Sequence, residues 1–600
     1  MHASPVKGPL PLAPILPPAL RHVAQSFEPA LRRLLVPGEV LHILETAQPS
    51  VSGAQFAQQL LDRLNIRFEV DERNLSRLPR KDAAIVVANH PYGIVEGLIL
   101  MIVVDRIRSD GKILANSILA GVDELRPKLI LVDPFERPQA RMTNRGPLRE
   151  AVQWLSDGGL LSIFPAGEVA HLDWKLHAIT DPPWKTTAAR LAMRARCPVV
   201  PVYFEGANSV PFHLAGTLHP GFRTIGLAHE FHKLRGRTIR FQIGSAIPAG
   251  VLTGYPDAKS ATEYLRSRTL FLSNRTEAVF TTPVRSVHRT PRKTIESPGD
   301  GRLLTEEVDA LPAEAELCEN GEFRVYLAQC EQIPRLLHEI GRCREETFRS
   351  AGEGTGRGLD LDQFDAHYRH LVLWSKAGHR LAGAYRLAIT TDVLQSRGIS
   401  GLYTSTLFRF HKEFFERLGP AVELGRSFIL PEYQKNFASL FLLWKGITRV
   451  VQRRPECPVL FGGVSISRHY RAASRGLIAT YLSGRASHEL ARFVRPRRKF
   501  RDPAMRCRNI RRFAAVVSSI EDVSLSISDI EEDSKGVPVL LRQYLKAGGR
   551  LLAFNLDPNF ADALDALIVA DLRTAPLALL ERCMGRNEAR AFLESHGVQC

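Results

Sequence analysis

The segment "VVANHPYGIVEG", residues 86–97, sets one imidazole and one carboxylate, His90 and Glu96, in an otherwise apolar, glycine-rich context. Pro91 has no N–H to give to a sheet, so the apolar run "AAIVVA" (83–88) is expected to end as a strand at Asn89–His90. A helix starting after Gly93 would let Glu96 fold back on the imidazole. A carboxylate bonded to Nδ1–H fixes the tautomer and leaves Nε2 free to take a proton from a hydroxyl, which is the chemistry of acyl transfer to an alcohol. A second reading stands beside it: a histidine capping a turn and a carboxylate capping a helix. Further on, "GGLLSIFPAGEVAHL" places another strand before Phe164-Pro165-Ala166-Gly167-Glu168. That tight turn has a glycine that lets backbone N–H groups approach an anion or a substrate.

A second group of charges follows residue 340. Arg344 stands four residues before Phe348, and Asp362 and Asp365 are three apart. Arg386 lies in "LAGAYRLAI", and Glu423 and Arg426 lie in "VELGRSFI". Charge in a strand interior is costly unless paired, so the two aspartates are the expected partners. The pattern fits a salt-bridge network or an active centre.

The elements that must position these residues alternate along the chain. Strand-like runs at 83–88, 128–133, 160–164 and 198–204 are separated by helical stretches such as 146–158 and 183–196, which predicts an α/β sandwich. The second half reads as α/β too, with strands in "FRVYLA", "HLVLWSK" and "LAGAYRLAI" and amphipathic helices in "QIPRLLHEIGRCREETFRS" and "NFASLFLLWKGITRVVQRR". Six hundred residues exceed one core, so we expect a loose proline-rich arm (1–24), a first domain (25–282), a polar linker (283–321) and a second domain (322–600). The formal charge of +17 favours anionic partners. It is dispersed and not interleaved with aromatic residues, so nucleic acid is not expected. The eight cysteines form no CxxC pair, so no disulfide framework or metal site is indicated and a reducing, cytoplasmic setting is expected. The longest apolar run, "GLILMIVV" (97–104), falls well short of the roughly 20 residues of a spanning helix. Contact with a membrane is expected, and crossing is not.

NHPYGIVEG followed by FPAGE, together with "PVVPVYFEGANS" (198–209), resembles the lysophospholipid and glycerolipid acyltransferases over about residues 60–280. The resemblance implies His90 and Glu96 as a catalytic dyad, with Asn89, Gly93, Phe164, Pro165, Gly167 and Glu168 at the substrate. Arg137, in the place of that family's second motif, is implied as a substrate contact. Two departures are visible. Five residues separate His90 from Glu96 where the family has four before an aspartate, and Ala166, Val169 and Ala170 replace the glutamate, threonine and arginine of the family's FPEG block. Loss of the arginine implies an acceptor other than glycerol 3-phosphate or its monoacyl ester.

In the second half, the order R-x-x-x-F, D-x-x-D, Y-R-L, E-x-x-R resembles the acyl-homoserine-lactone synthases and, more closely, the N-acyltransferases of ornithine-lipid synthesis, both of the GCN5-related N-acyltransferase (GNAT) fold. The resemblance implies that Arg344, Phe348, Asp362, Asp365, Arg386, Glu423 and Arg426 build the site, with Glu423 as a base acting through water. It implies a 3-hydroxyacyl group on acyl carrier protein as donor, with acyl-CoA as an alternative, and an amino acid as acceptor. "LPEYQKNFASL" stands where many members have a glycine-rich pyrophosphate loop, which favours the carrier-protein donor. Together the halves imply two acylations: an N-acylation, most naturally of ornithine, then esterification of the new 3-hydroxyl on the lyso-aminolipid. No cofactor or metal is called for, and the expected location is the inner face of the cytoplasmic membrane, held peripherally. Two alternatives stay open: a lysophospholipid acyltransferase with a relaxed phosphate site, or one half acting as a non-catalytic binding module.

Overall fold

The computed structural model describes residues 52–70, 72–133, 142–174, 178–218, 220–275 and 292–598. The chain divides into two compact units, one up to Glu277 with Val516–Ser518, the other comprising the remainder.

The first unit is built on a six-stranded sheet of β1 (Ala84–Ala88), β2 (Gly111–Asn116), β3 (Leu129–Val132), β4 (Leu160–Ile163), β5 (Val199–Phe204) and β6 (Phe241–Ile243), in the order β6-β5-β1-β4-β2-β3. Every pairing is parallel except β6 with β5. All five residues of β1 and all four of β4 are buried, as a parallel sheet covered on both faces requires, and this is why their sequences are unbroken apolar runs. Helix α1 (Gly53–Arg63) packs Phe56, Leu60 and Leu61 into the same core as Leu98, Ile99 and Ile102 of α2 (Val95–Asp105). The α2 sequence is apolar all round because the helix is enclosed by protein. Helices α3 (Arg145–Ser156) and α4 (Thr187–Ala195) coincide with the expected helical stretches. Strand β2 is not evident in the sequence. Only one of its six residues is fully buried, so its apolar signal is weak.

The second unit holds an eight-stranded sheet of β7 (Glu316–Glu319), β8 (Phe323–Ala328), β9 (Arg369–Ser375), β10 (Arg380–Ile389), β11 (Ala421–Ile429), β12 (Val459–Ile466), β13 (Arg550–Asp557) and β14 (Ala563–Asp571), in the order β7-β8-β9-β10-β11-β12-β14-β13. Neighbours are antiparallel except β11 and β12. Those two strands share only three rungs, ending at Glu423 opposite Phe461. Beyond that rung β11 continues along β10 while β12 continues along β14, so the sheet opens into a split.

Part of the stretch expected to be a solvated linker is folded. Within 292–321, helix α5 (Gly301–Asp309) buries Leu304 and Val308 in one core with Leu336 and Ile340 of helix α6 (Pro334–Ser350), and β7 starts the sheet. Two apolar residues one helical turn apart secure this segment, too few to stand out from its polar composition. Among the described residues no helix is long and apolar enough to cross a membrane.

Candidate active sites

In the first unit, β1 and β4 are parallel neighbours with Val87 opposite Ile163, so their carboxyl ends deliver His90 and Phe164 side by side. The two rings stack with centroids 4.3 Å apart at 27°. The sequence separation between the two motifs is thus closed by a single strand pairing, at the end of a parallel sheet where α/β folds place ligands.

Glu96 lies in the first turn of α2, is fully buried, and brings Oε1 to 3.4 Å from His90 Nδ1. The contact is off the line of a hydrogen bond, and Nδ1 has no hydrogen-bond partner among the described residues. The same carboxylate accepts the N–H of Tyr92 at 2.6 Å and of Gly93 at 3.0 Å. Ile94, at the helix N-cap, offers no side-chain acceptor, so Glu96 supplies the negative charge that the helix start favours. The carboxylate therefore closes the turn and lies against the imidazole without a hydrogen bond to it. The turn absorbs the extra residue because Gly93 adopts φ +100°, where a Cβ would come within 2.8 Å of Val169.

Asn89, expected at the substrate, has a structural task. Its amide donates to the Phe204 carbonyl at 2.8 Å and accepts the Phe204 N–H at 2.7 Å, tying the end of β1 to β5. The His90 N–H donates to Asp181 Oδ1 at 3.1 Å, and the His90 carbonyl accepts from Ala170 N–H at 2.8 Å. Asp181 is buried, takes a bond from Trp184 Nε1 at 2.9 Å, and has its carboxyl pushed up by burial. In the second motif the Gly167 N–H returns to the Phe164 carbonyl at 3.0 Å with φ +69°, and Pro165 accepts from the Lys185 N–H at 2.8 Å. Glu168 is exposed. Arg137 lies outside the described residues.

The second unit gathers the predicted arginines and aspartates into one cluster. Arg344 comes from α6, Arg386 from β10 and Arg426 from a bulge of β11 with φ +49°. Arg344 Nη1 and Arg386 Nη1 each stand 3.1 Å from Asp365 Oδ1, and Arg386 Nη1 is 2.5 Å from Asp362 Oδ1. Arg426 lies 3.8 Å from Asp362 and 3.3 Å from Asp360, a third aspartate not singled out in the sequence. Burial alone would raise the Asp365 carboxyl, but Arg344 and Arg386 hold it well below the usual range. Arg386 and Arg426 also sit over the Tyr403 ring at 5.0 and 4.8 Å, and Phe348 meets Phe560 edge to face at 5.0 Å.

Glu423 is separate from this cluster. It is 1 % exposed; Tyr368 donates its hydroxyl to one oxygen, and the Thr404 N–H donates to the other at 2.7 Å. Burial raises its carboxyl. With both oxygens occupied by the fold, this geometry suits a brace for the 403–404 segment better than a base reaching solvent.

Residues 12–279 match the family described as Acyltransferase, and residues 343–445 match the Acetyltransferase (GNAT) domain. Each half of the chain thus contains a stretch similar to an acyltransferase family. Among named relatives, the chain is 34% identical over 170 residues to the glycine N(alpha)-acyltransferase of Bacteroides thetaiotaomicron, covering 26% of this chain and 50% of that protein. It is 26% identical over 240 residues to the lyso-glycine lipid O-acyltransferase of the same organism, covering 39% of this chain and 84% of that protein. The chain spans about half the length of the glycine N(alpha)-acyltransferases it matches. The 1-acyl-sn-glycerophosphate (LPA) acyltransferase PlsC of Thermotoga maritima aligns at 17% identity and a TM-score of 0.24, over 42% of this chain and 90% of that one.

Proposed function

We propose that this chain makes a phosphorus-free, two-chain aminolipid. The GNAT unit acylates the amine of an amino acid with a 3-hydroxyacyl group, and the first unit esterifies the new hydroxyl with a second acyl chain. The observation that carries this reading is the His90–Glu96–Phe164 arrangement on a domain of the acyltransferase family, in one chain with a GNAT domain. The relatives' names support it, one describing N-acylation of an amino acid and another O-acylation of a lyso-aminolipid. They make glycine an acceptor to set beside ornithine.

His90 is the proposed base, taking the hydroxyl proton as the oxygen attacks the acyl carbonyl; Glu96 and Phe164 orient the ring. Acyl carrier protein, which is acidic, is the proposed donor partner for a chain of charge +17, and anionic lipid at the inner membrane face the proposed surface. The test is expression in a bacterial host without aminolipids, fed ¹⁵N-glycine or ¹⁵N-ornithine, with lipid mass spectrometry. A labelled one-chain amide and its two-chain ester are expected from one of the two feeds. Absence of any labelled acyl amide from both would overturn the proposal.

A further inference from the structure

Past the last shared rung of β11 and β12, the split in the second unit is lined by groups that take no part in the arginine–aspartate cluster. Ser465 of β12 lies four residues beyond Phe461, hence on the same face of its strand. It sits directly opposite Asp565 of β14, which in turn sits opposite Asn555 of β13, so the three side chains form one row across the sheet. Gly463 and Ser465 are partly exposed while Val464 and Ile466 are buried, and in the row Ser465 stands beside the buried Asp565 and Asn555.

Glu353 reaches the row from the loop after α6. Gly352 (φ +78°) and Gly354 (φ +97°) flank it, and a Cβ on Gly352 would fall 2.2 Å from His469 Nδ1, so no other residue fits there unstrained. The Glu353 N–H donates to the Phe348 carbonyl at 2.8 Å, and its Oε2 accepts the Ser465 hydroxyl at 2.8 Å. Asp565 is 6 % exposed, and its Oδ2 has no hydrogen-bond partner among the described residues. A buried acceptor left open beside a second carboxylate is the complement of an N–H donor.

We propose that Glu353 is the catalytic base of the GNAT unit, taking a proton from the acceptor's ammonium while Asp565 accepts a second N–H bond. This rests on the amide-forming reading above. The freed lone pair attacks the thioester carbonyl, the C–N bond forms and the C–S bond breaks. A second nitrogen proton goes to the departing thiolate, and the first leaves Glu353 for solvent. The products are the amide, a free thiol and one proton.

The electrostatics agree with this role. Burial pushes the Glu353 carboxyl up to about 7, against the pull of Ser465 and Arg426. Burial, reinforced by Asp557 and Glu353, raises the Asp565 carboxyl well above its ordinary value. The charged and titratable groups that interact with Glu353 are Arg426, Asp565 and Tyr470, while His469 stands against Gly352 beside it and Asp557 is next to Asp565.

The test uses the purified full chain, a 3-hydroxyacyl-carrier-protein thioester, and glycine or ornithine in separate arms, following thiol release and amide mass from pH 5.5 to 9. E353Q is expected to lower kcat/KM at pH 7 by about 100-fold or more and to abolish the acid limb near pH 7. S465A removes a bond that favours the charged form, so it is expected to move that limb to higher pH. If E353Q stays within threefold of the unaltered protein with the same limb, or S465A leaves the limb in place, Glu353 is not the base. If the unaltered protein forms no amide with either acceptor, the amide-forming reading itself falls.

Discussion

Replacing Asp365 by asparagine keeps its shape and removes one negative charge from between two guanidiniums. Arg344 and Arg386 are both fully buried, and each has an Nη1 at 3.1 Å from Asp365 Oδ1. Arg386 retains Asp362, whereas Arg344 retains only a hydrogen bond to the Asp360 carbonyl at 3.0 Å and so loses its only close ion-pair partner among the described residues. Breaking a buried pair from one side costs about 3–5 kcal/mol, because the remaining charge stays desolvated. The unit spans about 320 residues, and an unfolding entropy near 2.1 cal/mol/K per residue converts that loss to a fall in Tm of about 4–8 °C. Scanning calorimetry of the full chain at pH 7 reads this directly. The pH dependence has a definite sign. The folded Asp365 carboxyl is depressed, so its contribution is complete above the unfolded value of about 3.9 and is lost as pH falls towards the folded value. The gap between D365N and the unaltered protein is therefore constant from pH 7 to pH 5 and narrows below about pH 4. A shift under 1 °C at pH 7, or a gap that widens on acidification, would refute the reasoning.

Three further outcomes are expected. N89A strands the N–H and carbonyl of Phe204 in a buried site, at about 1–3 kcal/mol for each unsatisfied group, so thermal unfolding should show the first unit destabilised and the esterification step slowed. F164A removes the ring stacked on His90 and should lower the esterification kcat by about tenfold or more with little change in the amide-forming rate, measured on the isolated one-chain amide. G352A forces a side chain into φ +78° against His469, and amide formation should fall while esterification of supplied one-chain amide persists.

What the sequence disclosed follows from burial. Strands β1, β4 and β5 are enclosed on both faces and read as plain apolar runs, and His90 with Glu96 stood out because charge is rare in such surroundings. The arginines and aspartates of the second unit were legible for the same reason, being charges set in or beside strands. What stayed hidden depended on long-range placement. Asp181 reaches the backbone of His90 from a proline-flanked loop, Asp360 joins the cluster through its long-range contact with Arg426, and Glu353 between glycines reads as an ordinary turn. Asp557 and Asp565 lie near the end of the chain, and only the pairing of β12, β14 and β13 brings them to the split. Helix α5 looks like linker in the sequence because its two buried residues are outnumbered by polar ones. Glu423 was legible as important, but only its bonds to Tyr368 and Thr404 reveal what it holds.

The proposed activity is two acylations by one chain, with His90 serving the second step. It is tested most directly by incubating purified H90A with ¹⁴C-labelled one-chain amide and an acyl donor, then separating the lipids. The role given to His90 predicts that the two-chain ester falls by at least 100-fold while synthesis of the one-chain amide from free amino acid continues at the normal rate. Ester formation by H90A at an undiminished rate would contradict it.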